Sequence, residues 1–136
     1  MAMNLETIQP KDWKKPSGYS NGVLVKGAGR LLFVAGQVAW DADQRLVGKG
    51  NFATQFDQAL RNVLEVVMSA GGKPEHVVRL TVYVTDKHAY LSRTKEIGAA
   101  WRELMGKHYP AMALVQVAGL IEEGALVEIE ATAALP

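Results

Sequence analysis

Apolar side chains recur at helical spacing in two stretches of the chain. Between residues 52 and 70 they return every three or four positions, which builds one apolar stripe and predicts a helix that ends at Gly71. A second stripe runs through residues 90–105, after Asp86 as a candidate N-cap and before Gly106 as the terminating glycine. The pattern therefore predicts two amphipathic helices, each with one apolar face to bury.

Other stretches carry the apolar and β-branched composition of strands. They cover residues 22–27, 30–36 and 77–84, and the two runs that flank residues 121–124. The first two strands, joined by a turn at residues 28–29, predict a hairpin. In the third strand, alternation predicts one face formed by Val78, Leu80, Val82 and Val84 and the other by Val77, Arg79, Thr81 and Tyr83.

This order of elements predicts an α+β fold in a single domain spanning residues 1–136. Residues 1–18 are expected to be irregular, because Pro10, Pro16 and Gly18 punctuate them. Strands before, between and after the helices predict a sheet with both helices packed on one face. Since many strand residues are apolar on both sides, the other face should be covered by self-association.

Composition and charge exclude several classes of function. The 136 residues carry a formal net charge of +1 and no cysteine, which rules out disulfides and thiolate chemistry. The basic residues are not concentrated in a way that would predict nucleic-acid binding. Neither a signal peptide nor a membrane span is apparent. His76, His88 and His108 are scattered without ligand spacing, so no metal is expected. We therefore expect a cytoplasmic protein that binds neither membrane nor nucleic acid and needs no cofactor.

Two carboxylates at alternate positions mark the last strand. Glu128 and Glu130 share one face, because residues two apart on a strand point the same way. One interpretation is that they simply keep that face hydrated. The other is that a carboxylate among apolar neighbours sits in a partly desolvated site, where it acts as a general base.

Several motifs in a fixed order carry a resemblance to a known family. They are Gly36-Gln37 after a strand, Arg61-Asn62-Val63 in a helix, the strand at 77–84, and the apolar runs at 108–118 and 127–133. In this order the chain resembles the Rid/YjgF family, trimeric proteins that hydrolyse reactive enamines and imines. The resemblance implies a chorismate-mutase-like, mostly antiparallel fold. It also implies a homotrimer with a central barrel-like core and pockets between neighbouring subunits.

The same resemblance implies roles for individual residues. Glu128 matches the glutamate that holds the attacking water, and Glu130 is interpreted as structural. Gly36 and Gln37 would line the ligand pocket, although Gly36 also fits a strand bulge. Tyr19 would project into the pocket, or else anchor a loose N-terminal segment. Trp40 would wall the pocket or, as we favour, pack at a subunit interface.

One position departs from the family pattern. The arginine that binds the substrate carboxylate would fall two places after Pro110, where this chain has Met112. Methionine offers only apolar contact, so small α-imino acids should bind poorly. Ala113 and Leu114 would line the same pocket beside it.

The sequence therefore predicts a hydrolytic deaminase of an enamine or imine larger or less charged than a small α-imino acid. The alternative is a non-catalytic trimeric module that uses the same clefts to bind a small metabolite or a partner protein. An endoribonuclease, an activity reported for some members of the family, is disfavoured by the near-neutral charge.

Overall fold

A computed structural model describes residues 2–136 of the chain. The strands are β1 (Asn4–Ile8), β2 (Gly22–Lys26), β3 (Arg30–Gln37), β4 (Val77–Val84), β5 (Ala111–Gln116) and β6 (Val127–Leu135). The helices are α1 (Phe52–Ser69), α2 (Lys87–Leu91) and α3 (Thr94–Met105), with a 3-10 turn at Pro74–His76.

Four strands form the main sheet in the order β3-β6-β4-β5. β6 pairs antiparallel with both β3 and β4, whereas β5 pairs parallel with β4 at the sheet edge. The central strand β6 alternates half-buried residues with fully buried ones, such as Val127 and Ile129. The predicted α+β class and the mostly antiparallel pairing are confirmed.

The N-terminal part differs from the prediction. Asn4–Ile8 within the predicted irregular segment form a strand, while Met1 lies outside the described residues. This strand pairs with β2 in a separate two-stranded sheet, so the predicted hairpin of β2 with β3 was wrong. Only Leu5 of β1 is even half-buried, so no apolar alternation announced the strand. These residues form a strand because they pair with β2.

The second predicted helix is broken into α2 and α3. Asp86 caps α2, because its carboxylate accepts a hydrogen bond of 2.9 Å from the backbone N–H of His88. Arg93 has φ −124° and ψ 20°, outside the helical range, and α3 begins after it. Tyr90, at the end of α2, packs edge-on against Phe52 with ring centroids 6.3 Å apart. Both helices still contribute apolar residues to one layer.

A bulge in β4 changes the predicted alternation near its start. The register with β6 shifts between Val77 and Arg79, which leaves Val78 as the extra residue. Val77 is therefore fully buried together with Leu80, and Val78 is only half-buried. The prediction that Val78 shares a face with Leu80, with Val77 on the opposite face, was wrong because a bulge interrupts the two-residue period.

The helices cover one face of the main sheet and leave the other open. The core forms where α1 and α3 meet β6 and β4, around the fully buried Leu60, Val63, Leu80 and Ile129. The prediction that the helices share one face is confirmed. On the open face, Phe33 is 74% exposed. No helix among residues 2–136 is both long and apolar enough to cross a membrane.

Candidate functional site

The open face of the sheet carries the paired carboxylates. Glu128 and Glu130 are half-buried and alternate along β6 with residues that face the core. Beside them, the register between β3 and β6 shifts between Val34 and Gln37. This bulge brings Gly36 next to Glu128.

The contact between Gly36 and Glu128 is unusually close. A Cβ atom placed on Gly36 would lie 2.9 Å from Cδ of Glu128 and would overlap its carboxylate. The interpretation of Gly36 as a bulge residue is confirmed, and the missing side chain also leaves room for the Glu128 carboxylate. A role of Gly36 in lining a ligand pocket stays a prediction. Any side chain at this position would displace the Glu128 carboxylate from its place against β3.

Tyr83 of β4 links the carboxylates into a polar cluster. Its hydroxyl donates a hydrogen bond of 2.6 Å to the Glu130 carboxylate. This hydrogen bond is the main reason why the pKa of Tyr83 is raised. Desolvation and the negative charges of Glu130 and Glu128 raise the pKa further, whereas the positive charge of Arg79 lowers it. Glu130 thus has a partner in the chain, which fits its structural interpretation.

The second group of candidate residues lies at the edge strand β5. Ser20 pairs with Ala111, and its hydroxyl donates to the carbonyl of Tyr109 at 2.5 Å. This docking places Tyr19 in a cleft of about 330 Å³ that we term the edge cleft. It is lined by Tyr19, Ser20, Asn21, Arg79, Ala111, Met112 and Ala113. Tyr19, Met112 and Ala113 are therefore brought together.

A second cavity, of about 340 Å³, lies on the helix side of β5, and we term it the helix-side pocket. Met112 and Leu114 form part of its floor, since they pack towards the core together with Leu80 and Val82 of β4. Its wall includes the rings of Trp101 and Tyr109, stacked 6.0 Å apart. Met112 borders both cavities.

Within one chain, Glu128 and Met112 do not meet. Glu128 pairs with Tyr83 and lies on the open face, whereas Met112 pairs with Leu80 and faces the helices. β4 lies between their two strands. The candidate site residues therefore fall into two separate groups, one at Gly36 and Glu128 and one at Tyr19, Met112 and Ala113, which we term the first and second half-sites.

Trp40 and Gln37 lie near the first half-site in sequence but make mainly structural contacts. The Gln37 side chain donates to the carbonyl of Ala35 at 3.1 Å. Asn62 of α1 donates to the carbonyls of Val38 and Trp40, at 3.0 and 2.9 Å, and so fixes the segment after β3. The indole N–H of Trp40 is buried and finds no partner among residues 2–136.

The structural role of Asn62 was not apparent from the sequence. The only signal was a polar amide, among apolar neighbours, on a helix that must bury one face. Gln55 is a similar case, since it is fully buried and binds the carbonyls of Gly48 and Gly124 and the N–H of Leu126. Both amides hold loops in place and belong to the scaffold.

His76 and His108 line a cavity of about 770 Å³ together with Tyr19, but none of the three histidines lines the edge cleft or the helix-side pocket. His108 approaches the carbonyl of Val77 through Nε2 at 2.6 Å, and His76 accepts the N–H of Lys73. No group of three or more metal-binding side chains occurs among residues 2–136.

Comparison with known proteins identifies the fold and the family. The structure is similar to YyfB of Yersinia pestis, a protein of unknown function of the conserved Rid family. The TM-score is 0.85 at 36% identity, over 97% of this chain and 99% of that one. The family profile described as Endoribonuclease L-PSP matches residues 12–135. The chain belongs to the Rid/YjgF family.

Two curated Rid/YjgF relatives are of similar length. A RutC family protein of Pyrococcus horikoshii is 32% identical over 129 residues, which is 94% of this chain and 96% of that protein. The human protein named 2-iminobutanoate/2-iminopropanoate deaminase is 31% identical over 115 residues, or 85% and 78% of the two chains. Membership of the Rid/YjgF family therefore extends over nearly the whole chain.

Proposed function

We propose that this protein is a hydrolytic deaminase of an enamine or imine, in which Glu128 holds the attacking water. The contact of Gly36 with Glu128 carries the proposal, because a bulge and a missing side chain together make room for a carboxylate on an open sheet face. The name of the human relative, an iminobutanoate and iminopropanoate deaminase, supports the same reaction class.

The reaction needs few groups. Glu128 accepts a proton from the bound water while the oxygen forms a bond to the imine carbon. With the substrate as the protonated imine, this addition gives a neutral carbinolamine, and Glu128 then gives its proton to the nitrogen. The C–N bond breaks as the hydroxyl proton passes to solvent, which releases ammonia and the carbonyl product. An enamine is first protonated at carbon, which gives the same protonated imine. Correct positioning of water and substrate supplies the rate enhancement.

The proposed site is completed by a second copy of the chain. The Glu128 half-site and the Met112 half-site lie on opposite sides of β4, so one protomer does not bring them to one substrate. A homotrimer that packs open sheet faces around its axis would place one half-site of each chain beside the other half-site of its neighbour. Tyr19, Gly36, Gln37 and Ala113 would then line a shared cleft.

Met112 limits the choice of substrate. In the family pattern an arginine at this position binds the substrate carboxylate, and methionine has no donor to replace it. Losing such a charge pair costs about 2–5 kcal/mol. We therefore propose a substrate other than a small α-imino acid. The net charge of +1 gives little electrostatic attraction for RNA, so we favour deaminase activity over RNA cleavage.

The decisive experiment replaces Glu128 with glutamine. Carbonyl product release from a panel of imines generated in situ should fall by at least about 100-fold in the E128Q variant. E130Q is the matched control, since Glu130 lies on the same face of the same strand, and it should keep most of the activity. Equal activity of wild type and E128Q would refute the proposed role.

A second variant tests the position of the substrate. M112R should gain activity on 2-iminopropanoate relative to the wild type, because it restores a carboxylate-binding cation. If neither the wild type nor M112R hydrolyses any imine, but small molecules bind in the clefts, the protein is a binding module.

A further inference from the structure

The helix-side pocket combines an apolar floor with one positively charged side chain. Its floor contains Met112, Leu114, Val82 and Ile97, and the stacked rings of Trp101 and Tyr109 form a flat wall. Trp101 is held in place because its indole N–H donates to the carbonyl of His108 at 3.2 Å. The single cation at this pocket is Arg102 of α3, among the lining residues of the described chain.

A glycine inside α3 makes room for this arginine. Gly98 lies one helical turn before Arg102, and a Cβ on Gly98 would be only 3.3 Å from Nη1 of Arg102. The guanidinium therefore lies across the backbone at Gly98, at the pocket. Glycine in a helix interior is unfavourable relative to alanine. Its presence here opens the pocket and gives Arg102 its position.

Arg102 has no carboxylate partner among residues 2–136, unlike its neighbours. Arg61 pairs with Asp57 and Glu103, and Arg93 pairs with Glu96. The other cation near Met112 is Arg79, which points to the opposite face of the sheet. There it borders Glu130. Neither arginine has a carboxylate within ion-pair distance among residues 2–136, but Arg102 is the one that lies on the same side of the sheet as the Met112 side chain.

We propose that Arg102 binds the carboxylate of a substrate whose apolar body fills the helix-side pocket against Met112. Met112 borders both this pocket and the edge cleft, so a ligand can extend from one to the other past its side chain. The substrate class is an aryl or branched aliphatic imine whose carboxylate is separated from the reacting carbon by an apolar segment. The reaction of the imine rests on the proposed function, whereas the binding of the carboxylate by Arg102 does not.

The size of the pocket agrees with such a ligand. Its volume of about 340 Å³ lies within the range of small-molecule sites. A cavity of about 150 Å³ accommodates benzene, so the pocket has room for a ring, a short linker and a carboxylate. A small α-imino acid would leave most of it unfilled.

Binding of an unreactive pair of probes tests the assignment without any turnover. We expect wild-type protein to bind 3-phenylpropanoate about tenfold more tightly than 3-phenylpropanamide in calorimetric titrations, because only the acid forms a charge-assisted bond. In R102Q this preference should disappear while the amide binds as before. K95Q removes another exposed cation of α3 and should keep the preference.

Three further variants separate the outcomes. G98L should fill the pocket and weaken both probes, with α3 still folded by circular dichroism. E128Q should bind the acid like wild type. Loss of turnover in E128Q therefore tests the proposed catalysis, whereas loss of acid binding in R102Q tests the role of Arg102. If R79Q abolishes the acid preference and R102Q retains it, or if wild type does not distinguish acid from amide, the assignment of Arg102 is wrong.

Discussion

Gly36 affects the position of Glu128 because its missing side chain leaves room for the carboxylate. In a G36A variant, the new Cβ would lie 2.9 Å from Cδ of Glu128, so the carboxylate must move away. Because a displacement of about 1 Å can cost roughly 100-fold in rate, we expect a loss of at least tenfold in kcat, measured as release of carbonyl product.

Gly119 provides the control for this change. A Cβ on Gly119 meets nothing within 4 Å, so G119A should keep wild-type activity and stability. Wild-type kinetics in G36A would show that the carboxylate can move without consequence, which contradicts a positioned base.

Tyr83 reports on the charges of the open face through its titration. The hydrogen bond to Glu130 holds the pKa of Tyr83 above its ordinary value of 10.0. Its contribution to stability is therefore complete below pH 10 and is lost as the pH rises through the higher pKa of the folded state. In an ultraviolet absorbance titration, we expect Y83F to lose a step of tyrosinate absorbance that lies above pH 10 in the wild type.

Glu130 is the partner whose replacement should reverse this shift. In E130Q the tyrosinate absorbance should appear at lower pH than in wild type, because the main cause of the raised pKa is removed. An unchanged titration in E130Q would mean that the hydrogen bond of 2.6 Å is not maintained in solution.

α1 supports the first half-site through one amide. Asn62 donates to the carbonyls of the buried Val38 and the half-buried Trp40, in the segment after β3, and its removal takes this donor from both acceptors. We expect N62A to lower the free energy of unfolding by about 1–3 kcal/mol in urea denaturation. E65A on the exposed side of α1 should change it by less than about 0.5 kcal/mol. Equal effects of the two variants would contradict a specific role for Asn62.

Helices and strands with a regular repeat of apolar residues were predicted from the sequence. Those that form only through contacts with other elements were not. α1 and β4 carry clear apolar repeats and were predicted within one or two residues. β1 exposes four of its five residues and becomes a strand only by pairing with β2. The break at Arg93 and the bulge at Val78 likewise depend on packing between elements, which a local period does not encode.

The candidate site shows the same division. The family resemblance assigned Gly36 and Glu128 to one site, and the structure brings the two residues into contact on neighbouring strands. The sequence did not single out Arg102 among the arginines, because the position of α3 beside β5, which places Arg102 at the helix-side pocket, depends on packing between elements. The available signal was a glycine inside an amphipathic helix, one turn before an arginine.

The two faces of the main sheet differ in how they are covered. The helices bury one face, whereas Leu31 and Phe33 on the other are 60% and 74% exposed, and Val115 is also exposed. Exposed apolar groups beside polar ones mark an interaction surface. A second and third copy of the chain would cover this face and, under the proposed arrangement, would complete each catalytic cleft.

Replacing Phe33 with glutamate tests the assembly and the site together. A charge on the open face should not be tolerated in a packed interface, so F33E should dissociate a trimer to monomers in analytical ultracentrifugation. Met68 is 51% exposed on α1, on the helix side of the molecule, and M68E should leave the assembly intact. Since Glu128 and Met112 are separated within one chain, monomeric F33E should also lose imine hydrolysis while remaining folded. A fully active monomer would place the whole reaction within one chain and contradict a shared cleft.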